Sequence, residues 1–357
     1  MADKAKEIIF VTLHLTDGGA ERVTSELTNE WIRQGHKVII VQLVPDMFTN
    51  SYAMSDKVEY INFPHESNKA LRNLNWVRGM IRILKEHPNA TALSFAKTTI
   101  YVLGLAEPFV KNRIVMSERN DPYTTPKTWM RRQIRDRAFE RADACVLQTT
   151  GARDYFPKKV RRKSVVIPNP ISATLPEPYE GVRDKRIIAA GRLHPQKNFP
   201  MLIRAFAMLH NDFPDYQLVI YGRGALEDEL RKLADSLGVG DFVSLPGFTD
   251  QLYEEMRTCA LYVSSSDYEG MSNSMLEALA MGVPSVVTDC PSGGAKAVIR
   301  NNENGILVPV GDAQKMYEGM KKVLSDPAFA EKISKESAKL KDKLSVEKIA
   351  AKWLRVL

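Results

Sequence analysis

Cysteine is scarce in this 357-residue sequence: Cys145, Cys259 and Cys290 stand far apart and are odd in number. Such spacing suits neither a disulfide framework nor a zinc site and predicts three buried structural thiols. Long apolar runs are also missing. The longest, such as Ile8 to Leu13 and Val38 to Val44, fall far short of the roughly 18 residues that cross a bilayer, so no membrane-spanning segment is expected. The polar stretch Met1 to Glu7 leads directly into a strand-length run, without the apolar region and cleavage site of a signal peptide, which predicts a cytoplasmic protein. There is no D-x-D motif and no clustered Asp and His of the metal-binding kind. No G-x-G-x-x-G fingerprint occurs either, which disfavours a nicotinamide dehydrogenase. Internal repeats and low-complexity tracts are absent, which excludes a solenoid or a propeller.

What remains is ordinary globular material, 44% hydrophobic and 26% charged. The length exceeds what one core usually supports and predicts two domains. Short β-branched runs alternate with longer amphipathic segments throughout, the pattern of parallel sheets covered by helices. In the first half the strands are expected near Ile8 to Leu13, Val38 to Val44, Val58 to Asn62, Ala92 to Phe95, Arg113 to Ser117 and Ala144 to Gln148. A helix should follow Gly19 and stop before Gly35. Four prolines between Pro168 and Pro178 mark a linker. A second series then begins, with strands near Arg186 to Ala190, Gln217 to Tyr221, Phe242 to Leu245, Ala260 to Ser264, Ser285 to Thr288 and Ile306 to Val308. The resulting division is 1–168, 169–340 and a closing helix within 341–357.

The net charge of +7 is uneven: residues 1–168 carry 27 Lys and Arg against 18 Asp and Glu. Much of the excess lies between Lys111 and Lys163, with Arg131, Arg132, Arg135 and Arg137 on a helix expected from Thr128. On that helix Met130, Ile134 and Ala138 share one face. This segment could lie on an anionic membrane surface or be a solvated basic helix. Nucleic acid is disfavoured, because no aromatics interleave the charges and no binding module accompanies them.

Three segments carry candidate chemistry. Glu269-Gly270-Met271-Ser272-Asn273-Ser274-Met275-Leu276-Glu277 follows an expected strand and opens a helix. Its backbone N–H groups could bind a phosphate at the helix N-terminus. Glu269 at the mouth and Glu277 inside could hold sugar and ribose hydroxyls. Taken alone, the same two residues are also explained by a favourable helix dipole and a solvated helix face. Next, Gly191-Arg192-Leu193-His194-Pro195-Gln196-Lys197-Asn198 brings two cations to a strand's carboxyl end, where ligands bind in open α/β sheets. They could instead be surface charges. Finally, Gly222-Arg223-Gly224, and Asp17-Gly18-Gly19-Ala20-Glu21-Arg22 in the first domain, are strand-to-helix turns whose glycines permit close approach of a ligand or simply a tight turn.

In this order, and together with Ile167-Pro168-Asn169-Pro170 and Asp289-Cys290-Pro291-Ser292-Gly293-Gly294, these motifs make nearly the whole chain resemble the retaining GT-B glycosyltransferases of the group-1 class, glycosyltransferase family 4. The resemblance implies an α/β, GT-B architecture, with two Rossmann-like domains facing across a cleft. It implies an N-terminal acceptor domain, a C-terminal nucleotide-sugar donor domain and a final helix crossing back to the N-terminal one. By the same resemblance Arg192 and Lys197 hold the donor diphosphate, and Gly270, Met271, Ser272 and Asn273 supply backbone donors to it. Glu269 holds the transferred sugar and Glu277 the ribose. Gly18, Gly19, Gly222 and Gly224 are counted with the donor-binding groups. Many relatives place a His beside the sugar where this chain reads Met116-Ser117-Glu118-Arg119. Glu118 is carried as the catalytic candidate there, with Arg119 and His14 as alternatives.

The implied activity is transfer of a hexose or N-acetylhexosamine from a UDP-sugar to a glycan acceptor, with retention of configuration, no metal and no other cofactor. The Gly-Gly-Ala-Glu-Arg and Cys-Pro-Ser-Gly-Gly variants lean toward bacterial polysaccharide or glycan assembly. A lipid-diphosphate-linked acceptor would place the enzyme at the inner face of the plasma membrane. The competing expectations are an epimerase or phosphorylase on the same fold, and an inert UDP-sugar-binding subunit of a transferase complex.

Overall fold

The computed structural model describes residues 5–16, 18–45, 52–95 and 98–357. They form two compact units, Met1–Pro170 with Val346–Leu357, and Ile171–Ser345. We refer to these as unit 1 and unit 2.

Unit 1 holds a seven-stranded parallel sheet: β1 (Glu7–Thr12), β2 (Lys37–Gln42), β3 (Glu59–Asn62), β4 (Thr91–Phe95), β5 (Ile114–Glu118), β6 (Ala144–Leu147) and β7 (Ser164–Val166). The strand order is β3-β2-β1-β4-β5-β6-β7. Ile9 of β1 pairs with Ile39 of β2 on one side and Ala92 of β4 on the other. The helices are α1 (Gly19–Arg33), α2 (Lys69–Glu86), α3 (Thr98–Ala106), α4 (Trp129–Arg141), α5 (Thr150–Tyr155) and α6 (Lys158–Arg161). Because helices cover both faces of a parallel sheet, its central strands read as unbroken apolar runs. Ile8 to Val11, for instance, are fully buried. Helix α1 ends before Gly35, whose φ of 88° is the left-handed conformation that glycine accepts without strain.

Unit 2 repeats the plan with α7 (Phe199–Asp212), α8 (Glu227–Ser236), α9 (Leu252–Thr258), α10 (Asn273–Ala280), α11 (Ala313–Ser325), α12 (Pro327–Ala338) and α13 (Leu340–Lys343). Its strands are β8 (Asp184–Ala190), β9 (Gln217–Tyr221), β10 (Val243–Gly247), β11 (Cys259–Ser264), β12 (Ser285–Thr288) and β13 (Ile306–Val308), in the order β10-β9-β8-β11-β12-β13. In both sheets the chain first builds outward in one direction, then returns to the first strand and builds the other way. The reversal leaves a crevice at the carboxyl ends of the two central strands, and in unit 2 these are β8 and β11.

The last helix, α14 (Val346–Leu354), packs on α1 as part of unit 1. Trp353 is fully buried against Phe95, and the Trp31 indole N–H donates to the Ala350 carbonyl at 3.3 Å. Lys6 Nζ donates to the Leu354 carbonyl, Arg113 Nε to that of Val356 and Thr91 Oγ1 to that of Leu357.

The basic segment is less uniform than its composition suggests. Arg135 is buried, not part of a surface patch: it pairs with Glu118 and Asp136 and stacks on Tyr155 and Phe156. Burial pulls its guanidinium down, and the two carboxylates more than offset that. Of the expected apolar face of α4, Ala138 is buried, whereas Met130 and Ile134 are more than half exposed, beside Trp129 at 69%. The three cysteines are free and buried.

Candidate functional site

The carboxyl ends of β8 and β11 carry loops that hold one another. After β8, a single 3-10 turn spans Pro195–Lys197, and Asn198 adopts a left-handed conformation, φ 45° and ψ 46°, which asparagine tolerates better than most residues. Asn198 Oδ1 accepts from the Met201 N–H and caps α7, while its Nδ2 donates to Asp267 Oδ1 at 2.7 Å. Gln196 is tied twice to the loop after β11, accepting from the Asp267 N–H at its carbonyl and donating from Nε2 to the Tyr268 carbonyl. Ser265 Oγ donates to the Lys197 carbonyl at 2.7 Å. Backbone and side chain of Lys197 are therefore both fixed from the neighbouring strand.

The Lys197 ammonium points at Glu269 Oε1, which also accepts from Ser266 Oγ at 3.3 Å. Burial pulls the ammonium down, but the adjacent carboxylate outweighs it and holds Lys197 above the ordinary lysine value. Arg192 opposes that rise slightly, which places a second positive charge within electrostatic range. Arg192 itself is exposed. The sequence motif thus brings two cations and one carboxylate to the point where the sheet order reverses.

Helix α10 completes the site. Ser272 is its N-cap, the Ser272 and Ser274 hydroxyls lie 3.1 Å apart, and Ser274 meets the buried Tyr262 hydroxyl at 2.9 Å. Glu277, in the second turn, is 2% exposed, which removes the solvated-face reading of that residue. The loop after β12 supports the mouth of the helix. Ser292 Oγ donates to the Glu269 carbonyl, and a Cβ on Gly294 would lie 1.7 Å from the Gly270 carbonyl oxygen. Thr288 Oγ1 donates to the Ser266 carbonyl at 2.6 Å. A small cavity lined by Glu269, Gly270, Ser272, Met275, Thr288 and Cys290 opens here.

Two further groups of expected residues are the glycines after β9 and the residues of unit 1. Gly222 and Gly224 make the tight-turn alternative concrete: their Cβ positions are occupied by backbone. A Cβ on Gly222 would lie 1.9 Å from the Gly191 carbonyl oxygen, and one on Gly224 would lie 2.3 Å from that of Leu193. These glycines bring the loops after β8 and β9 together, so the close approach is loop to loop. Gly18 and Gly19, the N-cap and first residue of α1, belong to unit 1, as does Glu118. The Glu118 carboxylate is 2% exposed; Oε1 accepts from the backbone N–H groups of Arg119 and Asn120, and Oε2 faces Arg135 at 3.4 Å. Burial raises its pKa against the pull of Arg135. Its oxygens shape the turn after β5. Ser292 and Gln196 work at the site through bonds to backbone carbonyls of another loop and Asn198 through the Asp267 side chain, and only Asn198, as an asparagine before a helix, carries a local sequence signal.

Two family models cover most of the chain: "Glycosyl transferases group 1" matches residues 177–340 and "Glycosyltransferase Family 4" matches 17–175. An uncharacterized glycosyltransferase of Haemophilus influenzae is 24% identical over 99% of this chain and 100% of its own length. An alpha-1,4-N-acetyl-D-galactosaminyltransferase of Campylobacter jejuni, named for a GalNAc-containing diphospho-undecaprenol glycan, is 26% identical over 98% of both chains. Among solved structures, Anabaena HepE in complex with UDP and glucose is 19% identical, with a TM-score of 0.81 over 99% of this chain and 100% of that one. Two parallel-sheet units in this strand order, the motif set of unit 2 and these matches lead to one assignment: the chain belongs to the group 1 glycosyltransferases and has the GT-B fold.

Proposed function

We propose that the protein transfers a hexose or N-acetylhexosamine from a UDP-sugar bound on unit 2 to a glycan acceptor bound on unit 1, with retention of configuration and without a metal ion. The observation that carries this reading is the Lys197–Glu269 pair at the switch point of unit 2, beside the N-terminus of α10 and the exposed charge of Arg192. Breaking the bond between the anomeric carbon and the diphosphate oxygen builds negative charge on the leaving group. Lys197 and the α10 N-terminus meet that charge from fixed positions and exposed Arg192 adds to them, and one such donor is worth about 3 kcal/mol at the transition state. Glu269 positions Lys197 and the sugar. The acceptor oxygen bonds to the anomeric carbon on the face the diphosphate leaves, and its proton passes to the departing phosphate oxygen. Buried Glu277 binds the ribose. Glu118 serves as a positioning residue for the turn after β5.

A UDP donor draws support from the UDP-bound relative, and a lipid-diphosphate-linked acceptor in bacterial polysaccharide or glycan assembly draws support from the Campylobacter enzyme's name. Among the described residues no helix is long and apolar enough to cross a membrane. Exposed Trp129, Met130 and Ile134 beside Arg131 and Arg137 suit peripheral contact with an anionic bilayer. Flotation with phosphatidylglycerol vesicles, weakened in a Trp129→Ser/Ile134→Ser variant, is the expected result; equal flotation of both proteins would remove the membrane contact.

Thermal melting with UDP, GDP, UDP-sugars and NAD, with and without EDTA, tests the donor site. At about 100 times its dissociation constant a ligand adds roughly 2.7 kcal/mol. Stabilisation by UDP or a UDP-sugar, unaffected by EDTA and weaker in Glu277→Ala, is expected. Stabilisation by NAD alone, or by nothing at millimolar concentration, would sink the assignment.

A further inference from the structure

Arg119, the first residue after β5, holds a permanent charge in a poorly compensated place. Its guanidinium lies over the Phe95 ring at 4.8 Å and near the Trp353 ring at 5.9 Å. Nη2 donates to Asn169 Oδ1, a neutral acceptor already shared with Gln148 Nε2. Nε and Nη1 are withdrawn from solvent and have no hydrogen-bond partner among the described residues. The carboxylate next to it in sequence is spent elsewhere: Glu118 is committed to two backbone N–H groups and to Arg135. Burial accordingly pulls Arg119 down to about 9, with only a partial counterpull from Glu118.

Unsatisfied buried donors on a cation cost several times what a neutral hydrogen bond returns, so a folded protein retains them where something else is gained. Two aromatic faces and one shared amide oxygen are a weak set of partners compared with a charged oxygen. The residue as a whole is only partly buried, which leaves it a route out of this pose. We propose that Arg119 is an oxyanion receptor of unit 1, parked on the Phe95–Trp353 wall and drawn off it by a phosphate oxygen of the acceptor. This rests on reading unit 1 as the acceptor-binding unit.

The test is calorimetric titration of inorganic diphosphate into the full chain saturated with UDP, for wild type, Arg119→Gln and Arg119→Lys, with melting temperatures in ligand-free buffer. Diphosphate should bind the UDP-saturated wild type, about tenfold or more weakly to Arg119→Gln, and at an intermediate level to Arg119→Lys. Ligand-free Arg119→Gln should melt at or above the wild-type temperature, as expected when an uncompensated cation is removed. No binding once UDP fills the nucleotide site would assign the ion to that site and overturn the proposal. So would equal binding by Arg119→Gln, or a lower melting temperature without rescue by Arg119→Lys, which would make Arg119 a tether for Asn169. If UDP itself does not bind, the donor reading fails separately; the titration is then run without it, and dependence on Arg119 still decides.

Discussion

At the scale of the residue, the Lys197–Glu269 pair makes a prediction about pH. The folded-state value of Lys197 is raised, so the stabilisation the pair contributes is complete below the ordinary lysine value of 10.5 and is lost only as pH climbs through the raised one. Glu269→Gln removes the main opposing pull and leaves burial, the largest influence, to favour the neutral amine. The alkaline limb of the pH–rate profile should therefore move to lower pH in this variant, and kcat should fall by about a hundredfold or more. An unmoved alkaline limb would show that Lys197 does not govern the rate. Individual residues are also where sequence reading is least secure. Glu269 and Lys197 could be found because a carboxylate before a helix and a cation after a strand are local patterns. Arg135 could not be removed from the basic patch in advance, since its burial depends on Glu118, Tyr155 and Phe156, which only the fold brings to it. Ser292 stands in a legible motif, but its contact is not: its partner carbonyl, at Glu269, lies in another loop.

At the scale of the element, the strands most readily seen are those buried on both faces, whose apolar runs fix their positions within a residue or two. The edge strand β7 escapes because it is three residues long with Val165 43% exposed. Loops are harder, and the paired glycines after β12 separate two reasons for keeping one. Gly294→Ala would drive a Cβ into the Gly270 carbonyl, which lies 1.7 Å from its position, without any backbone strain of its own. It should cost about 1–3 kcal/mol by overpacking and, by pushing the 269–270 loop aside, reduce turnover. Gly293→Ala meets nothing within 4 Å but sits at φ 74°. It should cost about 1–2 kcal/mol and leave turnover per folded molecule near wild type. Denaturant melts and initial rates on both variants check this, and equal activity losses would mean that the loop contact is not what matters.

At the scale of the whole molecule, the two α/β series and the proline-marked linker were legible as periodicity and punctuation. The membership of the final helix was not available from any pattern in residues 346–357; it entered through family resemblance, and the contacts of Trp353 supply its physical basis. Trp353 is fully buried against Phe95, which in turn meets Phe10 edge to face at 4.6 Å. Trp353→Ala should cost about 3–5 kcal/mol, borne by unit 1. Scanning calorimetry is expected to show the transition of unit 1 moving down while that of unit 2 stays in place. A uniform shift of both would mean that the units do not melt independently.

Unit 2 is inserted into unit 1, because the chain leaves unit 1 at Pro170 and rejoins it at Val346. On the ribosome this separates the order of synthesis from the order of completion. The seven-stranded sheet of unit 1 emerges first, yet Phe95 and Trp31 lack the partners that α14 brings until all of Ile171–Ser345 has been translated. At about 5–20 residues per second that interval is on the order of ten seconds or more. The nascent chain must therefore carry an unfinished aromatic face while a complete second unit folds behind it, and the first domain to be made is the last to be sealed.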